Sequence, residues 1–271
     1  MAATCTPHQG TPAERRLLES LGWAVGRLDA LPAADQSQVR AVLATLTSGM
    51  VFDLTRFPGE DAATVTALAT LPELDHYTYL VAGCVGEFWT ALHIAHRPRL
   101  RGWDAAAMGA AGVCFGKALQ MTNVLRDVPG DLRHGRCYLP ADELARLGLG
   151  PQDLLDPGAG PAVRPLLGRL IAGALEHYDV AWRYTLAIPR AEWRMRLACA
   201  WPLLIGQATL GVLARHPAPL AAPAPVKISR AAVRAILARS AVTVWSDRAL
   251  AAEAARCRRL IHECQAHGAR A

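Results

Sequence analysis

Aromatic residues make up only 6% of this 271-residue sequence and charged residues only 19%. β-Branched residues are also sparse, and no Asn-Gly or Asp-Gly pair punctuates the chain, which argues against hairpins and sheets. No basic run carries interleaved aromatics, so nucleic acid is not an expected partner. The seven cysteines, at positions 5, 84, 114, 137, 199, 257 and 264, include no C-x-x-C pair. That pattern argues against a disulfide framework or a zinc site and for a reducing, cytoplasmic setting. The first ten residues lack an apolar core, so no signal peptide is expected there, and they are expected to be disordered. No uninterrupted apolar run reaches about 18 residues, so no membrane-spanning helix is expected, and a lipid substrate would be met at the membrane surface.

What is present is alanine, leucine and hydrophobic bulk, at 52% of the chain. This composition predicts an all-α protein with one sizeable core. The net charge of +6 is spread along the sequence and suits an anionic ligand or an acidic membrane surface, though it equally describes a solvated face. Thr11-Pro12-Ala13-Glu14 has the form of a helix start, with a capping threonine, proline at the first position and glutamate three residues on. That helix is expected to reach Leu31, and a second to run from Gln36 to Phe57, delivering Gly49, Asp53 and Arg56. The Asp53/Arg56 spacing fits a surface ion pair. Helices are expected over 163–187 and from Pro189 onward, then a Pro/Ala-rich connector over 216–225 and two further helices. The chain shows no internal repeat.

The most informative stretch is residues 104–140. From Ala105 to Leu125 it reads as a buried helix, interrupted by polar groups at helical spacing. At about 100° per residue, Gly116, Gln120, Asn123, Asp127 and Asp131 share one side. Two carboxylates one turn apart in an apolar helix require compensation. It can come from Mg²⁺ shared with a phosphorylated ligand or from a buried arginine, which would make the stripe structural. Arg126, Arg133 and Arg136 bring positive charge suited to phosphate close by. Pro129 and Gly130 fall between the two aspartates, which predicts a kink and leaves Asp127 the more secure ligand. A second stretch, Asp75 to Trp89, places Tyr79, Ala82, Gly83, Gly86, Thr90 and His93 on one face. A face of such small groups allows close helix packing or leaves room for a long ligand chain.

Gln120-x-x-Asn123-x-x-Arg126-Asp127-x-x-x-Asp131, ending in Gly135-Arg136-Cys137-Tyr138-Leu139-Pro140, resembles the second aspartate-rich motif of the squalene/phytoene synthases. Tyr77-x-Tyr79-x-Val81-Ala82-Gly83-x-Val85-Gly86-Glu87 is similar to that family's mid-chain motif, and Gly49-Met50-x-x-Asp53 to a shorter signature. The resemblance covers about residues 14–245. It implies a single-domain, isoprenoid-synthase-type helical bundle around a central cavity, and head-to-head condensation of two prenyl diphosphates. By it, Asp127 and Asp131 would hold Mg²⁺ and diphosphate, supported by Gln120, Asn123 and Arg126, with Arg136 meeting diphosphate. Tyr77 or Tyr79 would guide the carbocation, Gly83 and Gly86 would lie along the prenyl channel, and Asp53 near it. A tyrosine at the position of Leu80, as in eukaryotic squalene synthases, leaves the tyrosine assignment open. The wording Gly86-Glu87-Phe88-Trp89 is nearer the bacterial squalene synthases, which implies farnesyl diphosphate as substrate and NADPH as reductant if squalene is the product. The family carries a first aspartate-rich motif upstream of what is here Leu17, where the only acid is Glu14. The bundle is therefore expected to be N-terminally incomplete, with the missing half supplied from upstream or by a partner chain, or else lost in a silent prenyl-lipid binder.

Overall fold

The computed structural model describes residues 11–220 and 225–268, so the expectation of disorder in residues 1–10 lies outside the described residues. Helices dominate: α1 (Pro12–Glu19), α2 (Leu21–Asp29), α3 (Ala33–Arg56), α4 (Leu71–Thr78), α5 (Cys84–His96), α6 (Ala105–Arg133), α7 (Ala141–Ala145), α8 (Gly160–Ala187), α9 (Trp193–Arg215), α10 (Arg230–Thr243) and α11 (Asp247–Gly268). The all-α expectation holds but for one parallel pair of two-residue strands, β1 (Thr66–Ala67) and β2 (Arg136–Cys137). That pair ties the end of the α6 segment to the segment after α3.

The predicted cap at Thr11 forms, with Glu14 and Thr11 exchanging side-chain-to-backbone bonds. The helix it starts does not reach Leu31 unbroken: it stops at Ser20, whose hydroxyl donates to the Leu17 carbonyl at 2.7 Å, and α2 follows. Hydroxyls that compete for backbone carbonyls favour such breaks. Neither α1 nor α2 contains a buried residue. Their apolar side chains, with Met50, Val51 and Leu54 of α3, remain in solvent; Trp23 is 72% exposed and Met50 66%. Exposed apolar side chains in such number on neighbouring segments of the chain suit a site of association.

Helix α6 is the axis of the bundle, flanked by α5, α8 and α9. It runs unbroken through Pro129, so the predicted kink is not a helix interruption. Proline forfeits one backbone bond there, but Pro129, Val128 and Leu132 are all buried, and packing of that kind outweighs local propensity. A second correction concerns residues 79–83. They form a π-helical segment between α4 and α5, and a turn widened this way rotates what precedes it relative to a 3.6-residue count.

The small-residue face serves close packing. A Cβ at Gly86 would lie 1.8 Å from the Gly112 carbonyl oxygen, and one at Gly116 would lie 2.2 Å from that of Ala82. These contacts make α5 and α6 antiparallel neighbours with touching backbones. By length and composition alone the segment 190–215 is apolar enough to cross a membrane. Most of it is buried inside the bundle, and Arg196 on it is 1% exposed and paired with Asp247 at 2.6 Å.

The seam gives a stability test. Gly86→Ala is expected to lower unfolding free energy by about 2 kcal/mol or more, since backbone cannot step aside as a side chain can. Gly109→Ala, also in helix but with nothing within 4 Å of the added carbon, is expected to be neutral or to stabilise by up to about 1 kcal/mol. Chemical denaturation of both variants checks this; equal effects would contradict the seam.

Candidate functional site

The Asp127 and Asp131 side chains lie one turn apart near the C-terminal end of α6. Arg126 clasps Asp127 from the neighbouring position, with Nε to Oδ1 at 2.8 Å and Nη2 to Oδ2 at 2.5 Å. The Asp131 carboxyl has no hydrogen bond or ion pair among the described residues. Burial, then the Asp127 charge, push its carboxyl up to about 7, while Arg136 acts in the opposite direction. A carboxylic acid titrating there is a charge site awaiting a cation.

Opposite the pair stands a second cluster. Arg136, on β2, pairs with Asp53 of α3 at 3.0 Å, and the Tyr138 hydroxyl donates to the other Asp53 oxygen at 2.5 Å. Tyr77 is stacked on Tyr138 at 4.8 Å, is hydrogen-bonded to it, and packs on Phe52 at 6.1 Å. Burial raises both phenols, so they stay protonated. The Asp53, Asp131 and Arg136 charges bear on one another. The Arg136 Nε is buried and has no protein partner. An unsatisfied buried donor of this kind is costly unless a ligand meets it.

A cavity of ≈ 330 Å³ runs between α5, α6, α8 and α9, and its lining reaches Asn123, one turn of α6 short of Asp127. Gln120 and Asn123, bonded to each other at 3.4 Å, line the part nearest Asp127, and Gly86, Gly112, Phe115 and Tyr184 line the rest. Its walls are mostly apolar, so it suits a hydrocarbon chain whose charged head stays at the carboxylates.

The structure therefore brings together Asp53, Tyr77, Asp127, Asp131 and Arg136, with Arg126 at the edge, and puts Gln120, Asn123 and Gly86 on the cavity. Two expected residues fall elsewhere. The cavity is not lined by Tyr79, whose hydroxyl lies 3.0 Å from a carboxylate oxygen of the exposed Glu87. Gly83 is likewise absent from the lining: it is buried, and a Cβ there would meet Val113 at 3.1 Å. The 100° count put Tyr79 on one face with Gly83 and Gly86, and the π-helical turn at 79–83 rotates it off that face. Asp53 was expected near the cavity; a pair with Arg56 does not form, as Arg56 faces Glu73 at 3.1 Å instead. Tyr138 and Tyr184 were not singled out. Tyr138 sat inside a quoted motif, whereas nothing local marks Tyr184, which α8 brings in from far along the chain.

Among the described residues no group of three or more His, Cys, Asp or Glu side chains could hold a metal by itself. Mg²⁺ does not require one, because it takes a few carboxylates and completes its shell with water and substrate phosphate. Asp131, desolvated, and Asp127, partly exposed and clasped by Arg126, fit that role.

A model of the squalene/phytoene synthase family matches residues 5–232. The 15-cis-phytoene synthase of Enterobacter agglomerans is 36% identical over 135 residues, 49% of this chain and 43% of that protein. The bifunctional lycopene cyclase/phytoene synthase of Podospora anserina is 35% identical over 119 residues, 44% of this chain and 20% of that protein. The matched stretches thus span less than half of either relative. In three dimensions the chain is similar to TcSQS, a squalene synthase solved with the ligand E5700, at a TM-score of 0.73 and 21% identity, covering 98% of this chain and 78% of that one. That likeness establishes the isoprenoid-synthase fold.

The Asp131 carboxyl carries a pH signature. Its folded pKa is raised from 3.8 to about 7, so between those values the folded state binds more protons than the unfolded one. Its contribution is fully present below about pH 4 and is lost as pH rises through 7. Asp131→Asn is expected to leave stability at pH 4 unchanged and to raise it at pH 8 by roughly 2 kcal/mol, after allowing for solvent screening of a partly exposed group. Thermal melts across that range, without divalent metal, test it; a variant parallel to the wild type at every pH would contradict it.

Proposed function

Since the chain belongs to the squalene/phytoene synthase family, whose members are prenyltransferases, we propose that it binds farnesyl diphosphate and condenses two such molecules head to head, through a cyclopropylcarbinyl diphosphate, to squalene. The observation that carries the reading is the Asp127/Asp131 pair, with Asp131 desolvated and near Arg136, whose buried Nε has no partner, one turn of α6 beyond Asn123 on the wall of an apolar cavity. In this reading the diphosphate lies between Arg136 and the aspartates and the prenyl chain occupies the cavity. Mg²⁺ held by Asp127 and Asp131 supplies the positive charge that a departing diphosphate requires. Arg136 exchanges Asp53 for phosphate oxygens, and Arg126 holds Asp127 in place. Tyr77 and Tyr138, neutral and stacked, turn π faces and phenolic oxygens toward developing positive charge while excluding water. The allylic C–O bond breaks with its electron pair on the diphosphate, the second molecule's double bond attacks the cation, and loss of a proton from the attacked carbon to the departed diphosphate closes the cyclopropane ring. NADPH enters only through the squalene product; the described residues hold no strand-to-helix glycine turn of the dinucleotide-binding kind. The reaction is proposed to take place in the cytoplasm, at the inner membrane surface where the apolar product is released.

A second reading is a prenyl-diphosphate-binding subunit that depends on a partner chain. Two observations favour it: Arg126 and Arg136 already occupy Asp127 and Asp53, and the apolar surface of α1–α3 ends beside Asp53. A cavity of ≈ 330 Å³ is at the small end for ligand sites and accommodates one prenyl chain rather than two. The two readings differ in turnover.

With farnesyl diphosphate, Mg²⁺ and NADPH, condensation by the 271-residue chain supports the first reading and binding without turnover the second, each tenfold of rate being about 1.4 kcal/mol of barrier. Binding of a non-hydrolysable farnesyl thiolodiphosphate is expected to need Mg²⁺ and to weaken at least about tenfold in Asp127→Asn, Asp131→Asn and Arg136→Ala. Rapid turnover would show that Asp53 supplies the third carboxylate. Binding indifferent to Mg²⁺ and to all three substitutions would overturn both readings.

A further inference from the structure

The end of the bundle away from the aspartates carries a surface of different character. Asp127 and Ala105, the first residue of α6, are separated by about 33 Å of helix. At that far end the junction of α10 and α11 meets the start of α9. Trp193 and Trp245 lie ring to ring at 5.7 Å, and the Arg194 guanidinium sits 5.0 Å over the Trp193 ring. Trp245 is 51% exposed, and Val242, three residues before it, 77%.

Positive charge frames the two tryptophans. Glu192 is gripped by Arg99 at 3.0 Å and Arg97 at 3.6 Å, both from the segment that follows α5. Asp247 is shared between Arg190 and Arg196, each at 2.6 Å. Arg101, Arg194 and Arg248 are exposed and have no acid partner among the described residues. Asp104 and Asp35 are further acids at this end; one caps α6, and the other is met by His96 at 2.8 Å, so the excess remains positive. The α1–α3 surface, by contrast, mixes both signs, with Glu14, Glu19 and Asp29 among its arginines. Exposed tryptophan flanked by arginine is the composition of a membrane–water interface. The indole sits at headgroup level with its apolar body turned inward, and each arginine is drawn to anionic headgroups within a Debye length.

We propose that the Trp193/Trp245 end docks on an anionic lipid bilayer, with Trp245 and Val242 at headgroup depth and Arg194 and its neighbours on lipid phosphates. The cavity then turns its apolar end to the lipid. Tyr184 and Cys199 line it and also belong to the cluster with Leu100, Ile188 and Met195 that underlies this end. Ala198, an exposed residue of the lining, lies one turn along α9 from Arg194 on the same face. This orientation rests on the prenyl diphosphate reading above: the charged head stays on the aqueous side, and the hydrocarbon leaves toward the bilayer.

The test is co-sedimentation of the full chain with vesicles of phosphatidylcholine, with and without about one third phosphatidylglycerol. The chain is expected to partition at least about tenfold more strongly onto the anionic vesicles and to be released by raised salt. Trp245→Ala and Arg194→Glu are each expected to weaken that partitioning at least about fivefold, and Met50→Ser, on the α1–α3 surface, to leave it unchanged. Should Trp245→Ala fail to fold by circular dichroism, Arg194→Glu and Val242→Ser carry the test. No preference for anionic vesicles, partitioning unmoved in the folded variants of this end, or a loss in Met50→Ser instead, overturns the docking face. A dimer that Trp245→Ala dissociates and that binds no vesicle assigns the face to a second copy and overturns it as well. Binding of farnesyl thiolodiphosphate with Mg²⁺, measured without vesicles, is expected to be unchanged in every variant. Its absence in the wild type overturns the prenyl reading and the orientation of the cavity, and leaves the docking face to the vesicle result.

Discussion

Burial of one carboxylate, Asp131, a turn away from a second on a largely buried helix is the constraint around which this molecule is arranged. Asp127 is relieved by Arg126, but Asp131 has no direct partner, and burial beside its neighbour's charge pushes it up to about 7. Such an arrangement is a poor device for stability, since apolar residues would pack more cheaply. It makes physical sense as a site completed by a cation and an anionic ligand. The Asp53–Arg136–Tyr138 cluster across from it fits the same logic, with an arginine whose buried Nε is still unmet.

The glycine seam serves this arrangement from the other side. Because Gly86, Gly112 and Gly116 let α5 and α6 touch backbone to backbone, the two helices seal one wall of the cavity while Val81, Phe115 and Leu119 coat it. The choice between close packing and a ligand channel is thus not exclusive. Glycine closes the wall, and the larger neighbours line the space.

Much of this was legible because it is local. The Asp127/Asp131 spacing, the polar stripe through Gln120 and Asn123, the capped start at Thr11 and the family motifs all lie within single segments. What was not legible depends on tertiary packing. Pro129 stays inside the helix because its surroundings bury it, a fact absent from its own neighbourhood. The π-helical turn at residues 79–83 shifts every facing residue counted through it, which is why Tyr79 leaves the face on which a 100° count put it with Gly83 and Gly86. Tyr184 closes the cavity only because α8 returns antiparallel to α6, and no short window of sequence contains that information. An apolar surface on α1–α3 was not foreseen from the sequence. Its placement on those helices, with α5 and α6 largely covered, is the structure's contribution.

The central claim is that Asp131 is a desolvated acid whose charge is completed by metal and diphosphate. Its titration can be read directly from the carboxyl carbon by nuclear magnetic resonance, using Asp127→Asn to assign the signal. The account predicts a midpoint close to 7 in the metal-free wild-type chain, falling by at least about two units when Mg²⁺ and a farnesyl thiolodiphosphate are added together. A midpoint near that of an ordinary aspartate in the free chain, unmoved by metal and ligand, would contradict it.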